Sequence, residues 1–500
     1  MESAGLAHCV LKELKLLLDT NIIIPLEPTG ASNVEPNTLP GTQLFRAAQH
    51  SNAQMFIHPE QYQDIKNDQD TARKELRHVL VGKYLELPFP PSISPEIEMV
   101  IGKCLRGTND WVDHHLLAAV KSHSVDYLVS EDANLHKKAS KLKISEKVLR
   151  LQDAVDALEA LFTKPTKPPP SVQYTLAHTL NDSDPIWESF RNDYRDFNSW
   201  LERCKKEHRP CWIIEGEASY AGVAILKPED HDLALRGRVA KICSFKVDED
   251  QRGLRYGELL LKSVFAYSLE NKHDWLYVTV FEKQDHLIAF LQEFGFRAIS
   301  FKNERDELIL LKPLNTQYCD EDLSGLEFNI RFGPYQVDLD HDIFAVPILP
   351  RYHQLLFPDL EVDQRRLIEG EFPFGNSIRK AYLCHSPSTR LLPGSIVAFY
   401  RSRDIKALTC LGVVEETVRS SDPNVIASTV GKRTVYTYHE IEDLCERGEV
   451  LAILFRQAIP FSPVIRLKEL VDASMLKSAP VSITRLPENA RSWMKKLIRL

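Results

Sequence analysis

Apolar and polar positions along this chain follow three successive rhythms. In the first stretch, short apolar runs stop on polar residues. Residues 15–18 (KLLL) end at Asp19-Thr20-Asn21, and residues 125–129 (VDYLV) end at Ser130-Glu131-Asp132. Runs this short and this sharply bounded predict buried strands. DHHLLAAV, opening at Asp113, and LQDAVDALEALF repeat apolar residues at helical spacing, which predicts helices. In the second stretch, 239–247 (VAKICSFKV) predicts a strand, DEDQRGLRYG a loop and ELLLKSVFAYSLE a helix. WLYVTVF (275–281) predicts a further strand, before a short helix in DHLIAFLQEF and Gly295-Phe296. In the third stretch, 322–500, apolar strands alternate with turns. PGSIVAFYRS (393–402) and ALTCLGVVEETV (407–418) predict adjacent strands of a β-barrel, preceded by RRLIEGEFPFGNSIRKAYLCHS and followed by AILFRQAIPFSPVIRLKEL (452–470).

The punctuation between these stretches marks domains. Lys164-Pro165-Thr166-Lys167-Pro168-Pro169-Pro170 blocks helix formation and favours an extended spacer. PLNTQYCDEDLSG (313–325) separates the second and third patterns. The expected organisation is therefore 1–163, a linker at 164–171, 172–313 and 322–500. Segment 27–42 is turn-rich and expected to be an exposed loop. A length of 500 residues suits several domains.

Composition narrows the function classes. The net charge is −8, so this is no globally basic nucleic-acid binder, and any RNA contact must use local patches. The nine cysteines, Cys9, Cys104, Cys204, Cys211, Cys243, Cys319, Cys384, Cys410 and Cys445, contain no C-x-x-C. That spacing fits neither a disulfide framework nor a structural zinc site, and it suits a reducing compartment. The N-terminus MESAGLAHCVLKEL lacks a basic region followed by an apolar core. No apolar run approaches the roughly 20 residues that span a bilayer. A cytoplasmic protein is expected.

The candidate chemistry of the first stretch is acidic. Asp19 and Asp132 each close an apolar run, and ligand sites of open α/β sheets lie beyond the carboxyl ends of strands. Asp113 opens a helix, with Asp110 three residues earlier on the same face. Asp64 lies in HPEQYQDIKND, where Glu60 and Asp68 compete for its role. Converging carboxylates repel unless a cation pairs with them, and Mg²⁺ or Mn²⁺ takes oxygen ligands. LLLDTNIII, NDWVDHHLLAAV and VDYLVSEDANLHKKA resemble motifs of the PIN domain, a metal-dependent ribonuclease fold that also serves as an inert binding module. The resemblance implies that Asp19, Asp64, Asp113 and Asp132 hold the metal and that Asn21 braces them. His136-Lys137-Lys138 with Lys141, Lys143, Lys147 and Arg150 is either a strip that steers RNA or a solvated face.

The second stretch has strand, glycine-containing loop and helix in the order that offers backbone N–H groups to a phosphate. With AFLQEFGF (289–296), it resembles the GNAT acetyltransferase family over about 172–312. The resemblance implies that backbone groups of Phe245 and Val247 hold the pantetheine arm of acetyl-CoA. It also implies that the amides of Arg252, Gly253, Leu254, Arg255, Tyr256 and Gly257 cradle the pyrophosphate. Arg255 stands where the family has a glycine, and its side chain could either clash with a phosphate or pair with it. Leu291 stands where many members carry a thiolate-protonating tyrosine. The strand 239–247 carries no carboxylate base, which leaves Glu215 and Glu217 on the preceding hairpin as weak candidates.

The third stretch resembles the PUA-like superfamily near its ASCH and EVE branches, which bind RNA or modified bases. Arg379, Lys380, Tyr400, Arg401 and Arg403 are the groups available there for stacking and phosphate contact. The fold class expected is thus α/β multidomain: a PIN-like parallel-sheet α/β domain, a GNAT α/β domain and a PUA-like β-barrel α+β domain. The expected function is an acetyl-CoA-dependent N-acetyltransferase joined to a metal-dependent ribonuclease and an RNA reader. The alternative is an acetyltransferase of protein or small molecules with inert flanking modules. A third possibility is a regulator that senses acyl-CoA and catalyses nothing.

Overall fold

The computed structural model describes residues 14–26, 38–51, 53–62, 65, 84–162, 172–216, 218–230, 233–248, 256–318, 322–360 and 377–498. The chain folds into two compact units. One comprises Met1–Lys164, Ser420–Lys432 and Tyr436–Glu449. The other comprises Pro165–Arg419, Arg433–Val435 and Val450–Leu500. Residues 420–432 and 436–449, which the sequence pattern puts with the third stretch, thus group with the first.

The first unit is built on the run KLLL. It forms β1 (Lys15–Leu18), whose three leucines are buried, as in a central strand covered on both faces. Around it lie β2 (Gln54–Ile57), β3 (Leu85–Glu86), β4 (Tyr127–Val129) and β5 (Val148–Leu149). The sheet order is β3-β2-β1-β4-β5, with every pair parallel. The helix Asn109–Lys121 starts where the Thr108 side chain accepts from the Trp111 amide. It buries Val112, Leu116, Leu117 and Val120. The helices Pro423–Val430 and Tyr438–Glu446 complete this unit. The Tyr127 hydroxyl donates to the Ala427 carbonyl at 3.1 Å, and Phe162 stacks on Tyr438 at 4.9 Å.

The second unit holds two sheets. The strands β6 (Val172–Leu176), β7 (Pro210–Glu215), β8 (Tyr220–Lys227), β9 (Val239–Val247), β10 (Trp275–Val280), β11 (Arg297–Lys302) and β12 (Leu308–Pro313) run in the order β11-β12-β10-β9-β8-β7-β6. Only β9 and β10 pair in parallel. The helix Tyr256–Glu270 buries Leu260, Leu261, Val264 and Phe265 on one face of this sheet. The helix Phe197–Lys206 buries Phe197 and Leu201 in a separate core with Trp187, Val223 and Ile225.

The third sheet contains β13 (Ile343–Ile348), β14 (Arg379–Cys384), β15 (Ile396–Arg401), β16 (Ala407–Ser420), β17 (Val450–Arg466) and β18 (Thr484–Arg485). Its order is β14-β17-β16-β15-β13-β18. The sequence pattern predicts a barrel here. Among the described residues the strands form a linear order without a closing pair, with β13 and β15 parallel. No helix among the described residues is long and apolar enough to cross a membrane.

Candidate active site

The first unit gathers three of the four predicted acids. Leu18 lies beside Val129 in parallel register, so the next residues of both strands emerge together at one sheet edge. Asp19 is buried and accepts from the Thr20 amide at 2.6 Å, Asn21 Nδ2 at 2.9 Å and Ser130 Oγ at 2.5 Å. Burial is the main reason that the Asp19 carboxyl is pushed up to about 6, and the charges of Asp113 and Asp132 add to it. Asp132 caps the helix Ala133–Lys141, accepting from the Asn134 and Leu135 amides. Asp64 lies outside the described residues, as does Asp68. Glu60 accepts from Trp111 Nε1 at 3.0 Å.

The cation among these acids comes from the chain. Lys138 Nζ is 2.8 Å from Asp113 and 2.7 Å from Asp110. Three or more His, Cys, Asp or Glu arranged as metal ligands do not occur among the described residues. With Asp113 held by an ammonium and Asp132 by helix amides, the described donors do not fit Mg²⁺ or Mn²⁺. The basic strip is also split up. Lys138 faces the acids, while Arg150 pairs with Glu131 at 3.3 Å.

The second sheet opens a fork. β9 and β10 pair only from Val239/Trp275 to Ile242/Val278. Beyond that, β9 continues on β8 as far as Val247/Gly222, and β10 continues on β12 as far as Val280/Leu308. Cys243 is the extra residue of a bulge, because Ser244 pairs with Ile225 and Ile242 with Leu226. The Asp248 amide donates to the Ala221 carbonyl at 2.9 Å. Hydrogen-bonded pairs alternate along an antiparallel ladder, so Lys246 and Ser244 bond to β8. The backbone groups of Phe245 and Val247 therefore point the other way, into the fork. These are the two residues whose backbone the resemblance assigned to the pantetheine arm. Of the assigned pyrophosphate loop, Arg252, Gly253, Leu254 and Arg255 lie outside the described residues. Tyr256 and Gly257 open the helix Tyr256–Glu270.

The third sheet corrects the expected RNA contacts. Lys380 and Tyr400 are fully buried, and Arg401 is buried with its guanidinium donating to Asp404 through both Nε and Nη2. Lys380 lies 5.7 Å from the Phe357 ring centroid, and burial lowers its ammonium to about 7. Arg379 donates to Glu415 at 2.9 Å and to Glu293 at 3.0 Å. Stacking on Tyr400 and phosphate contact at Lys380 or Arg401 are closed off by packing. Every residue of β15 is buried, so the strand has no outward face. Sequence reasoning passed over a different place. A cavity of about 290 Å³ is lined by Phe344, Ser386, Ser388, Arg390, Ser482 and Arg485, among others. Its signal was the turn-forming stretch Ser386-Pro387-Ser388-Thr389-Arg390 directly after a strand.

Comparison with known proteins bears on the fork. Residues 175–296 match the sequence model of the Acetyltransferase (GNAT) family. The chain carries a GNAT acetyltransferase domain. No curated protein matches the chain. Among solved structures, a GNAT acetyltransferase from Staphylococcus aureus is 19% identical, covering 29% of this chain and 100% of its own, with a TM-score of 0.24. A GNAT acetyltransferase from Elizabethkingia anophelis with acetyl-CoA bound is 14% identical, covering 29% and 98%, with a TM-score of 0.21. The ASCH protein of Zymomonas mobilis is 16% identical, covering 31% and 96%, with a TM-score of 0.24.

Within the GNAT domain, Leu291 is core, fully buried with Phe265 and Phe294. A Cβ on Gly257 would meet Phe290 Cζ at 3.2 Å, so that glycine leaves room for the ring. In the first turn of the helix Tyr256–Glu270, the Glu258 carboxylate accepts from the Ile378 and Arg379 amides at 2.6 and 3.2 Å. Lys262, one turn on, pairs with Asp359 at 3.1 Å. The third sheet is thus hydrogen-bonded to the first turns of the helix that follows the loop.

Proposed function

We propose that this chain is an acetyl-CoA-dependent N-acetyltransferase whose acceptor is carried on RNA. The observation behind the donor is the fork between β9 and β10, with the backbone of Phe245 and Val247 turned into it. Acetyl-CoA supplies a thioester acyl group when bound. Phe245 and Val247 would align its arm by strand-like hydrogen bonds, and the start of the helix Tyr256–Glu270 would face its phosphates. A proline at 247 would delete an N–H that faces the fork while sparing the β8 ladder. Calorimetry with acetyl-CoA should therefore show binding to the wild type that weakens more than about tenfold, or roughly 1.4 kcal/mol, in Val247→Pro. A wild type that takes up no acetyl-CoA at millimolar concentration would end this reading.

The RNA acceptor is supported by the cavity that places Arg390 beside serine hydroxyls, while Arg485 on the same wall is held by Asp342 at 2.7 Å. Such donors suit phosphate oxygens. Binding of single-stranded RNA should weaken with salt, and Arg390→Ala should flatten the slope by about 0.7 for each phosphate it leaves unneutralised. Indifference to RNA at low salt would favour the other reading, a transferase acting on protein or small molecules. That reading draws on the inward placement of Lys380, Tyr400 and Arg401. The pairing of Lys138 with Asp110 and Asp113 supports taking the first unit as a binding module rather than a metal-dependent nuclease.

A further inference from the structure

The fork closes at Ile242/Val278, so the deepest point open to an arm lying along β9 is beside Cys243 and Ser244. These two side chains differ in how they are satisfied. Cys243 Sγ accepts from Arg209 Nη1 at 3.3 Å. Ser244 is 3% exposed, and its Oγ has no hydrogen-bond partner among the described residues. A buried hydroxyl without an acceptor is unfavourable, and an uncommon finding in a native fold. The strand gives the hydroxyl a direction. Phe245 and Val247 pack toward the helix Tyr256–Glu270. Ser244 and Lys246 therefore leave the opposite face, where Lys246 Nζ meets Ser189 and lies over the Phe190 ring. The neighbours across the ladder, Ile225 and Val223, are apolar and fully buried, and offer no side-chain acceptor. On the far arm of the fork the same face carries Phe281, stacked on Tyr194 at 5.4 Å.

We propose that the Ser244 hydroxyl is the donor for the acyl carbonyl oxygen, fixing and polarising the acyl group at the closed end of the fork. This rests on the acetyl-CoA reading above. It supplies a polar side chain at the reacting carbon in a GNAT domain that has leucine at 291 and no carboxylate on β9. A serine hydroxyl already desolvated beside the closed end of the fork costs little to reorganise.

The test compares acetyl-CoA with CoA, which differ only by the acyl group. In Ser244→Ala, calorimetry should show acetyl-CoA weakened about three- to tenfold, the range for removing one hydrogen bond, and CoA changed by less than about twofold. The carbonyl band of [1-¹³C]acetyl-CoA in infrared difference spectra should shift to higher frequency when the donor is removed. Ser244→Cys keeps nearly the same volume with a weak donor and should fall between wild type and Ser244→Ala. Equal weakening of both ligands, or an unmoved carbonyl band, would overturn the role of Ser244 while leaving the fork as the CoA site. A wild type that binds neither ligand would overturn both.

Discussion

At the scale of single residues, the informative groups are buried charges and what holds them. Asp19 has its carboxyl raised from 3.8 to about 6. An acid raised on folding binds its proton more tightly in the folded state. Its contribution to stability is therefore intact below about pH 4 and is lost as pH rises through about 6. The shift corresponds to roughly 3 kcal/mol at ~1.4 kcal/mol per pH unit. Asp19→Asn should stabilise the protein at pH 7 by up to that amount and make no difference near pH 4. Urea denaturation across this range checks it, and a pH-independent difference would refute the assignment. Glu415 is the opposite case. Burial pushes its carboxyl up, but Arg379, Arg433 and Arg456 hold it well below the usual range, with Arg379 and Arg456 at 2.9 and 3.0 Å. Glu415→Gln leaves buried guanidiniums without their counter-charge and should cost about 3–5 kcal/mol. A loss below about 1 kcal/mol in the same assay would show that the cluster relaxes. Asp19 and Asp132 were legible in the sequence because they terminate apolar runs. Lys138 was not, since a lysine on a polar helix face reads as solvated until the helix is placed. Tyr400 and Arg401 were misread because polar-tipped side chains usually reach solvent, whereas every residue of β15 is buried.

At the scale of elements, pattern located strands and helices well, but it could not supply long-range pairing. VAKICSFKV forms β9 over its full length, and LQDAVDALEALF forms the helix Leu151–Phe162. The fork depends on β10 leaving β9 after Val278, a property of two strands separated by a helix and carried by neither alone. The Gly295-Phe296 pair, read as a family ending, has a local cause. Gly295 has φ +85°, and a Cβ there would lie 2.1 Å from the Ile330 carbonyl oxygen. Left-handed backbone costs a non-glycine residue about 1–2 kcal/mol, and the clash adds to it. Gly295→Ala should therefore destabilise by more than about 2 kcal/mol and shift the urea midpoint accordingly. A neutral substitution would mean that the helix Gly325–Phe332 can move away at no cost.

At the scale of the whole chain, the proline-rich stretch 164–170 was the one boundary that the pattern announced plainly. The return of the chain was not visible. Residues 420–432 and 436–449 join the first unit from some 250 positions beyond its apparent end, because contact across such a separation leaves no local pattern. Their role is physical. Tyr127 on β4 is 1% exposed and gives its hydroxyl proton to the Ala427 carbonyl, and Phe162 lies against Tyr438. A fragment ending at residue 164 would bare the Tyr127 ring and leave its hydroxyl without this acceptor. It should unfold at lower urea than a version joined to 420–449 through a glycine-serine linker, by at least the roughly 1–3 kcal/mol of an orphaned buried hydrogen-bonding group plus the missing apolar burial. It should also bind a hydrophobic dye that the linked version excludes. If the fragment 1–164 unfolds cooperatively with the same free energy as the linked protein, the late helices are bystanders and the first unit ends where the sequence says it does.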